Sequence, residues 1–166
     1  TTTIDNRPPI VQSVDITPNT GITTSSILSC SGVVNDPDGT TPTSQYFWSV
    51  NGQSVGESTT FQLGPNSVSP MDVIQCELVA DDGLGSIVSD ATTVTVENQI
   101  PVVQSVTLQY TSPLTSTSSI LCVVQGTDAD LQTLTPTYIW YNDSTGTLLA
   151  STTDNLQLDQ TMVSPN

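Results

Sequence analysis

The chain repeats short sequence motifs at a nearly fixed interval, and this repetition limits the folds that are open to it. Five motifs recur in unchanged order, at offsets that drift only from 92 to 95 residues. This pattern predicts two tandem copies of one domain of about 90 residues. The matches pair Val11–Val14 with Val103–Val106, Ser25–Leu28 with Ser118–Leu121, Tyr46–Trp48 with Tyr138–Trp140, Phe61–Leu63 with Leu156–Leu158, and Val68–Pro70 with Val163–Pro165.

The same alignment predicts the domain boundaries. Residues 1–5 match the end of a copy and are interpreted as the tail of a preceding repeat, while 6–97 form the first copy. Residues 98–166 form a second copy that lacks its last two strands, since Asn166 aligns with Met71. We expect a window on a longer array. The alternative is that a neighbouring molecule supplies the missing strands, as in donor-strand assembly.

Each copy is predicted to be all-β. Short runs of Val, Ile, Thr and aromatic residues are separated by clusters of Pro, Gly, Asn and Asp, as in proteins made of short strands. Asn51-Gly52 and Asp82-Gly83 are signals for two-residue hairpins. No window combines a helical period with capping residues. The strands expected in the first copy are 10–17, 26–34, 44–50, 59–63, 73–80 and 86–96.

The charge balance excludes several classes of function. Arg7 is the only basic residue among 166, there is no Lys or His, and 16 acidic residues give a net charge of −15. One Arg cannot replace the counterions of a nucleic acid or bind an anionic membrane surface. Most general acid–base catalysis depends on His or Lys, so we expect no enzymatic activity. We also expect no membrane insertion, because no apolar run approaches the roughly 18 residues of a membrane span.

The cysteines and tryptophans suggest a fold class. Trp48 follows Cys30 by 18 residues, and Cys76 follows Trp48 by 28, a spacing that resembles the immunoglobulin-like β-sandwich. The resemblance implies tandem immunoglobulin-like domains with a Cys30–Cys76 disulfide that packs against Trp48. Cys122 and Trp140 repeat the first half of the pattern. The alternative is that these cysteines are buried thiols that pack as small apolar side chains.

Acidic residues concentrate where such a fold would place one end of each domain. Half of the 16 carboxylates belong to two sets with Asn neighbours, and oxygen-rich clusters of this kind suit calcium, which takes six to eight oxygen ligands. Zinc is disfavoured by the absence of His. The alternative is that Asp36-Pro37-Asp38-Gly39 is only a turn. The predicted calcium ligands are Asp5, Asn6, Asp36, Asp38, Asp81 and Asp82 at the first junction, and Glu97, Asn98, Asp128 and Asp130 at the second.

Two resemblances suggest a function. An acidic-Asn linker followed by Pro, with Asp128-Ala129-Asp130 in the next loop, resembles the interdomain calcium site of cadherin-like repeats. The Cys–Trp–Cys pattern with the stretch 50–56 resembles the immunoglobulin-like repeats of very long microbial cell-surface proteins. Together they imply a structural segment of an extracellular fibre, stalk or adhesin, stiffened by calcium, whose partners are neighbouring repeats. The strand-exchange Trp of adhesive cadherins is not recognisable here, so homophilic adhesion is not implied.

Two further interpretations concern sugars. Asn142-Asp143-Ser144 is an N-glycosylation sequon on a predicted hairpin, although such sequons also arise by chance. The alternative function is a carbohydrate- or ligand-binding accessory module of a secreted protein. That module would need exposed aromatic residues, and five of the eight aromatic residues lie in the repeated motifs around Trp48 and Trp140.

Overall fold

The computed structural model describes residues 4–149 and 151–162, and every regular element in them is a β-strand in an antiparallel pairing. The expected all-β class is confirmed. The chain divides into two compact units, Thr1–Gln99 (unit 1) and Ile100–Asn166 (unit 2). Residues 1–3 of the predicted tail and the Val163–Pro165 motif lie outside the described residues.

The described part of unit 1 contains seven strands, and all six that the sequence predicts are present with bounds within one residue of the expected ones. All five residues of the additional strand, β4, are exposed, so no alternation of buried and exposed positions marks it in the sequence. The strands are β1 (Ile10–Thr17), β2 (Ile27–Asn35), β3 (Thr43–Val50), β4 (Gln53–Glu57), β5 (Thr60–Gln62), β6 (Val73–Asp81) and β7 (Ile87–Thr95).

These strands form two sheets, in the orders β1-β2-β5 and β4-β3-β6-β7. Alternate side chains of a strand point to opposite faces, so β6 buries every second residue. Its Ile74, Cys76, Leu78 and Ala80 are fully buried. Both sheets contribute side chains to one apolar core. This arrangement is consistent with a β-sandwich.

A disulfide joins Cys30 of β2 to Cys76 of β6 and so connects the two sheets. The expected pairing is confirmed. Trp48 lies directly opposite Cys76 in the β3–β6 register and is 1% exposed. Its indole Nε1–H donates to the backbone carbonyl of Ser58 at 2.8 Å, and its ring centroid lies 5.6 Å from that of Phe61. The buried indole therefore has both an apolar environment and a partner for its polar atom.

The two expected hairpins differ. Asn51 and Gly52 have φ values of 48° and 79°, as a two-residue type I′ turn requires. The expected two-residue hairpin at Asp82-Gly83 is wrong, because five residues, 82–86, separate β6 from β7. The Asp82 carboxylate accepts the backbone N–H groups of Leu84 and Ser86, which stabilises this wider loop.

Unit 2 has a three-stranded sheet, in the order β12-β9-β8, and a separate two-stranded hairpin, β10-β11. Its core contains Trp140, Leu156 and Leu158, with the half-buried free thiol of Cys122 against it. Residues 132–140 carry no assigned strand. The strands are β8 (Val102–Tyr110), β9 (Ser119–Thr127), β10 (Tyr141–Asn142), β11 (Thr147–Leu148) and β12 (Asn155–Gln157).

The same hydrogen bonds occur in both units. Trp140 Nε1–H donates to the carbonyl of Thr153 at 2.9 Å, as Trp48 does to Ser58. The Gln62 side-chain amide contacts the carbonyls of Ser25, Ser26 and Leu63, and Gln157 contacts those of Thr117, Ser118 and Leu158. These bonds make Ser118 the counterpart of Ser26. The sequence motif instead makes Ser118 the counterpart of Ser25, one residue earlier.

Candidate functional site

One end of unit 1 brings together the segment before β1, the β2–β3 loop and the β6–β7 loop. The Asn6 amide Nδ2 donates to Asp82 Oδ2 at 2.8 Å and to the hydroxyl of Ser86 at 3.2 Å. Arg7 in the same segment contacts Asp38. The structure thus brings Asn6, Asp38 and Asp82 of the predicted ligand set to one place. We call these residues and Arg7 the acidic end.

Arg7 contacts both carboxylate oxygens of Asp38. Its backbone N–H donates to Oδ2 at 2.6 Å, and its guanidinium Nε donates to Oδ1 at 2.7 Å. The guanidinium Nη2 also donates to the carbonyl of Pro37 at 2.5 Å. The backbone N–H and then the guanidinium of Arg7 lower the pKa of Asp38, while nearby Asp82 acts weakly in the opposite direction. The only basic side chain of the protein therefore lies where the sequence predicts a cation.

The other acidic side chains of this end also accept hydrogen bonds. The Asn6 amide, followed by the backbone N–H groups of Leu84 and Ser86, lowers the pKa of Asp82. Buried Asp36 accepts the N–H of Asp38 at 2.7 Å and the hydroxyl of Thr40 at 2.6 Å. Asp81 accepts the N–H of Gly83 at 2.8 Å, and Asp5 is exposed. Each of these carboxylates except Asp5 stabilises its own loop, as Asp does in turns.

Calcium would have to displace the hydrogen bonds that these carboxylates accept. Calcium binds oxygen atoms only, and several must converge within about 2.3–2.6 Å of the ion. At the acidic end the carboxylates face N–H and hydroxyl groups, including the positively charged guanidinium. Over residues 4–149 and 151–162, no three acidic or cysteine side chains form a group that could hold a metal. Calcium therefore stays a prediction.

The second predicted set is divided between the units, and each part has local partners. In unit 1, Glu97 Oε1 accepts the N–H of Gly21 at 2.8 Å, and the Asn98 amide donates to the carbonyl of Gln99 at 3.0 Å. In unit 2, Asp128 accepts the N–H of Asp130 at 2.8 Å, and Asp130 is buried. The Asp128–Asp130 bond repeats the Asp36–Asp38 bond of unit 1, so the Asp-x-Asp motif acts as a turn in both units.

Asn142 lies at the end of β10, with its side chain half-buried. Its Nδ2, the atom to which a glycan would be attached, donates to the carbonyl of Met162 at 2.9 Å, and its Oδ1 accepts the N–H of Ser144 at 3.0 Å. A glycan would leave one hydrogen on Nδ2, so this bond has to persist or be replaced. Glycosylation at Asn142 stays a prediction.

Sequence reasoning missed two kinds of residue. In the sequence Arg7 counts only as too little positive charge for a nucleic acid, although its position beside Asn6 signals a partner for the carboxylates. Gln62 and Gln157 lie inside a repeated motif, and a Gln retained between two apolar residues is the signal for their shared role.

No family model, no curated protein and no solved structure matches this chain. Its described residues include no helix with the length and hydrophobicity needed to cross a membrane. Among the described residues, two of the surface depressions lie in unit 1. One, of about 400 Å³, lies at the acidic end beside Asp5 and Leu84, and the other, of about 350 Å³, lies beside Phe47, Gln75 and Glu77.

Proposed function

We propose that this chain is a structural segment of an extracellular fibre, stalk or adhesin, built from tandem copies of one immunoglobulin-like domain. The strand order of unit 1 supports the domain type. Its first, second and fifth strands share one sheet and its third, sixth and seventh share the other, as in immunoglobulin-like sandwiches. The Cys30–Cys76 disulfide supports the extracellular setting, since such bonds persist in oxidising environments.

The observation that carries the proposal is the recurrence of the internal hydrogen bonds. Trp48 and Trp140 use equivalent carbonyl acceptors, and Gln62 and Gln157 contact equivalent sets of three carbonyls. The recurring features are thus internal contacts rather than a ligand site on the surface. A spacer or stalk requires only that these internal contacts are kept, and its other positions can vary freely.

Calcium stiffening is a separate part of this proposal. In an array, ions at the junctions would neutralise carboxylates and restrict bending between domains. In unit 1, however, Arg7 already supplies a positive charge at Asp38. The mechanical role and the role of calcium therefore need separate tests.

Arrays of the predicted repeat, residues 6–97, test the mechanical role. Proteins with one, two, four and eight copies should show an end-to-end distance in X-ray scattering that grows in proportion to copy number. A flexible string would instead grow roughly as the square root of copy number. Square-root growth, both in calcium and in chelator, would contradict a stiff spacer. Growth that is linear only in calcium would support the ion as the stiffening agent.

Recognition of a carbohydrate is a second candidate function, favoured by the depression beside Phe47. Phe47, Gln75 and Glu77 combine an aromatic ring with polar side chains, as sugar sites do. Glycan-array binding that is lost in Phe47→Ala but kept in the exposed control Val55→Ala would favour this function. Absence of binding to any glycan would leave the structural role alone.

A further inference from the structure

The outer face of the β4-β3-β6-β7 sheet presents an aromatic ring between two carboxylates. Phe47 of β3 lies directly opposite Glu57 of β4 on one side and Glu77 of β6 on the other. Residues that lie directly opposite each other point to the same face, with Cβ atoms about 4.5–5.5 Å apart. The next residue, Trp48, is buried on the inner face, so Phe47 points away from the core. A ligand over the Phe47 ring therefore has a carboxylate on each side.

This row of three residues borders the depression of about 350 Å³ in unit 1. The lining includes the half-buried Phe47 and Glu77, together with Ser49, Ser54 and Gln75. Ser49 lies opposite both Ser54 and Gln75, so these three form a second row, with only polar side chains, beside the first. The face thus combines one apolar surface with hydrogen-bonding groups around it, in the size range of small-molecule sites.

The polar side chains of the two rows are not engaged by the fold. Among the described residues, none of the five forms a side-chain hydrogen bond or an ion pair with another residue. The carboxylates of the acidic end, except that of Asp5, instead accept N–H or hydroxyl groups of their own loops. The polar atoms of this face are therefore available to a ligand.

The charge of the protein favours a cationic ligand at this face. Arg7 is the only basic side chain, and its ion pair is with Asp38 at the acidic end. Among the described residues, no side chain therefore neutralises Glu57 or Glu77. A net charge of −15 repels anions and attracts cations, and the face of an aromatic ring attracts a cation as well.

The aromatic ring is not part of the framework that the two units share. The motif around Trp48 recurs around Trp140, with Ile139 in the position of Phe47. Ile139 is 66% exposed, so an aliphatic side chain is tolerated at this surface position. The ring of Phe47 is thus a feature of unit 1 that the fold does not require.

We propose that this face binds an amino sugar, with the apolar C–H face of the sugar ring on Phe47 and its protonated amine at Glu57 or Glu77. The Gln75 amide and the two serine hydroxyls of the second row bond to the sugar hydroxyls. A lysine side chain would use the ring and the carboxylates but not the second row, so a sugar fits the whole face better. The proposal rests on carbohydrate recognition, the second candidate function, and names the class of sugar; it does not rest on the fibre role.

Two oligosaccharides with the same backbone test the requirement for charge. A chitosan oligomer carries free amines, whereas the chitin oligomer of equal length carries acetylated, uncharged nitrogens. In calorimetric titration of the full chain, the chitosan oligomer should bind at least about tenfold more tightly, because hydrogen bonds between charged groups are the stronger ones. Equal affinities would overturn the selection for charge and leave carbohydrate recognition standing. Absence of binding by both oligomers would overturn the two together.

Protein variants locate the binding. Phe47→Ile introduces the residue that unit 2 has at this position, and it should abolish binding of the chitosan oligomer. Glu77→Gln should lower the affinity at least about tenfold. Asp15→Asn, exposed on the other sheet, removes the same charge and should leave the affinity unchanged. Circular dichroism melts check that each variant is folded. An equal loss in Glu77→Gln and Asp15→Asn would show attraction to overall charge alone and would overturn the site.

A lysine peptide with the same number of amines tests the other kind of cationic ligand. It should bind more weakly than the chitosan oligomer, and Gln75→Ala should reduce sugar binding without a change in peptide binding. Peptide binding as tight as that of the sugar, and equally lost in Phe47→Ile, would make this a site for basic polypeptides and overturn the proposal. None of these results affects the copy-number scaling of repeat 6–97, so failure here is distinguishable from failure of the structural role.

Discussion

The backbone N–H and the guanidinium of Arg7 hold the two carboxylate oxygens of Asp38 at 2.6 and 2.7 Å. This contact fixes the segment before β1 on the β2–β3 loop. It should also contribute to the response of the stability of unit 1 to acid and to added cations.

Arg7→Gln should lower the melting temperature of unit 1 by a few degrees at most, since exposed ion pairs contribute little. The pKa of Asp38 is depressed in the folded state, so its contribution is fully present above the ordinary aspartate value of 3.8 and is lost as pH falls through the lower folded value. The difference between wild type and Arg7→Gln should therefore shrink on acidification. Thermal melts across this range check it, with the pair compared again in an Asp38→Asn background, where a difference that persists and still varies with pH would contradict the assignment.

Calcium, if it binds the carboxylates, should raise the melting temperature relative to chelator, since a ligand of the native state stabilises it. The Arg7→Gln change should increase calcium affinity, because calcium then no longer competes with the positively charged guanidinium for the Asp38 carboxylate. Calorimetric titration measures both, with magnesium as the control ion. No heat of binding in either protein would leave the Asp residues as turn formers alone.

Loss of the disulfide in Cys30→Ala/Cys76→Ala should reduce the free energy of unfolding of unit 1 by about 4 kcal/mol. That value is the loop-entropy estimate for a cross-link that spans 46 residues. Urea unfolding gives the change. Cys122→Ala is the control in unit 2, since its thiol is free and only half-buried, and it should leave the unfolding of unit 1 unchanged. No loss in the double variant would show that the cross-link contributes nothing to the stability of unit 1.

Trp48→Phe should destabilise unit 1 by about 1–3 kcal/mol, because it leaves the Ser58 carbonyl without its donor and opens a gap in the core. Trp140→Phe should have the same direction of effect in unit 2, where the acceptor is Thr153. Denaturant unfolding followed by circular dichroism gives each change, and the fluorescence of the remaining tryptophan, which lies in the other unit, shows whether that unit is unaffected. Tyr110→Phe, on an exposed side chain, serves as the control, and a loss no larger than the control's would contradict the anchoring role.

Gln62→Glu should cost about 1–2 kcal/mol at neutral pH, because a carboxylate oxygen replaces the amide donor that faces three carbonyls. The pKa of the new carboxyl should be raised in the folded state, so stability should recover as pH falls through that value and the protonated group donates again. This pH dependence has the opposite sign to that of the Arg7–Asp38 contact, whose contribution is lost as pH falls. Gln12→Glu, exposed on β1, should show neither effect in pH-dependent melts.

The strands of unit 1 could be predicted because each alternates apolar and polar residues between turn formers. β4 could not, because it has no buried side chain and is specified only by the Asn51-Gly52 turn that returns the chain to β3. The residue-by-residue correspondence between the two units was harder to predict from matching residue types. Ser-Ile-Leu at 26–28 and at 119–121 is identical, yet the strand pairing sets Ile120, not Leu121, in the position of Leu28. The correspondence is decided by which side chain is buried on the inner face of the sheet, and either Ile or Leu can fill that position.

The acidic end was predictable as a meeting place but not as a set of contacts. The fold class alone brings the segment before β1 and the two loops together. The hydrogen-bond partners depend on which N–H groups the turns leave free. Asp82 accepts the N–H groups of Leu84 and Ser86 because its loop has five residues, whereas the sequence predicts a loop of two.

In the shared hydrogen-bond framework, tryptophan and glutamine side chains donate and backbone carbonyls accept. Ser58 and Thr153 therefore serve equally well as acceptors, as do Ser25 and Thr117, since the carbonyl is the same whatever the side chain. Mutations can accumulate at every acceptor position without loss of a bond. Under the proposal that the two units are copies of one domain, such copies can drift far apart in sequence and keep one architecture. More distant copies are best sought by a Cys, a Trp 18 residues later and a Gln 14 or 17 residues after the Trp, rather than by overall sequence identity.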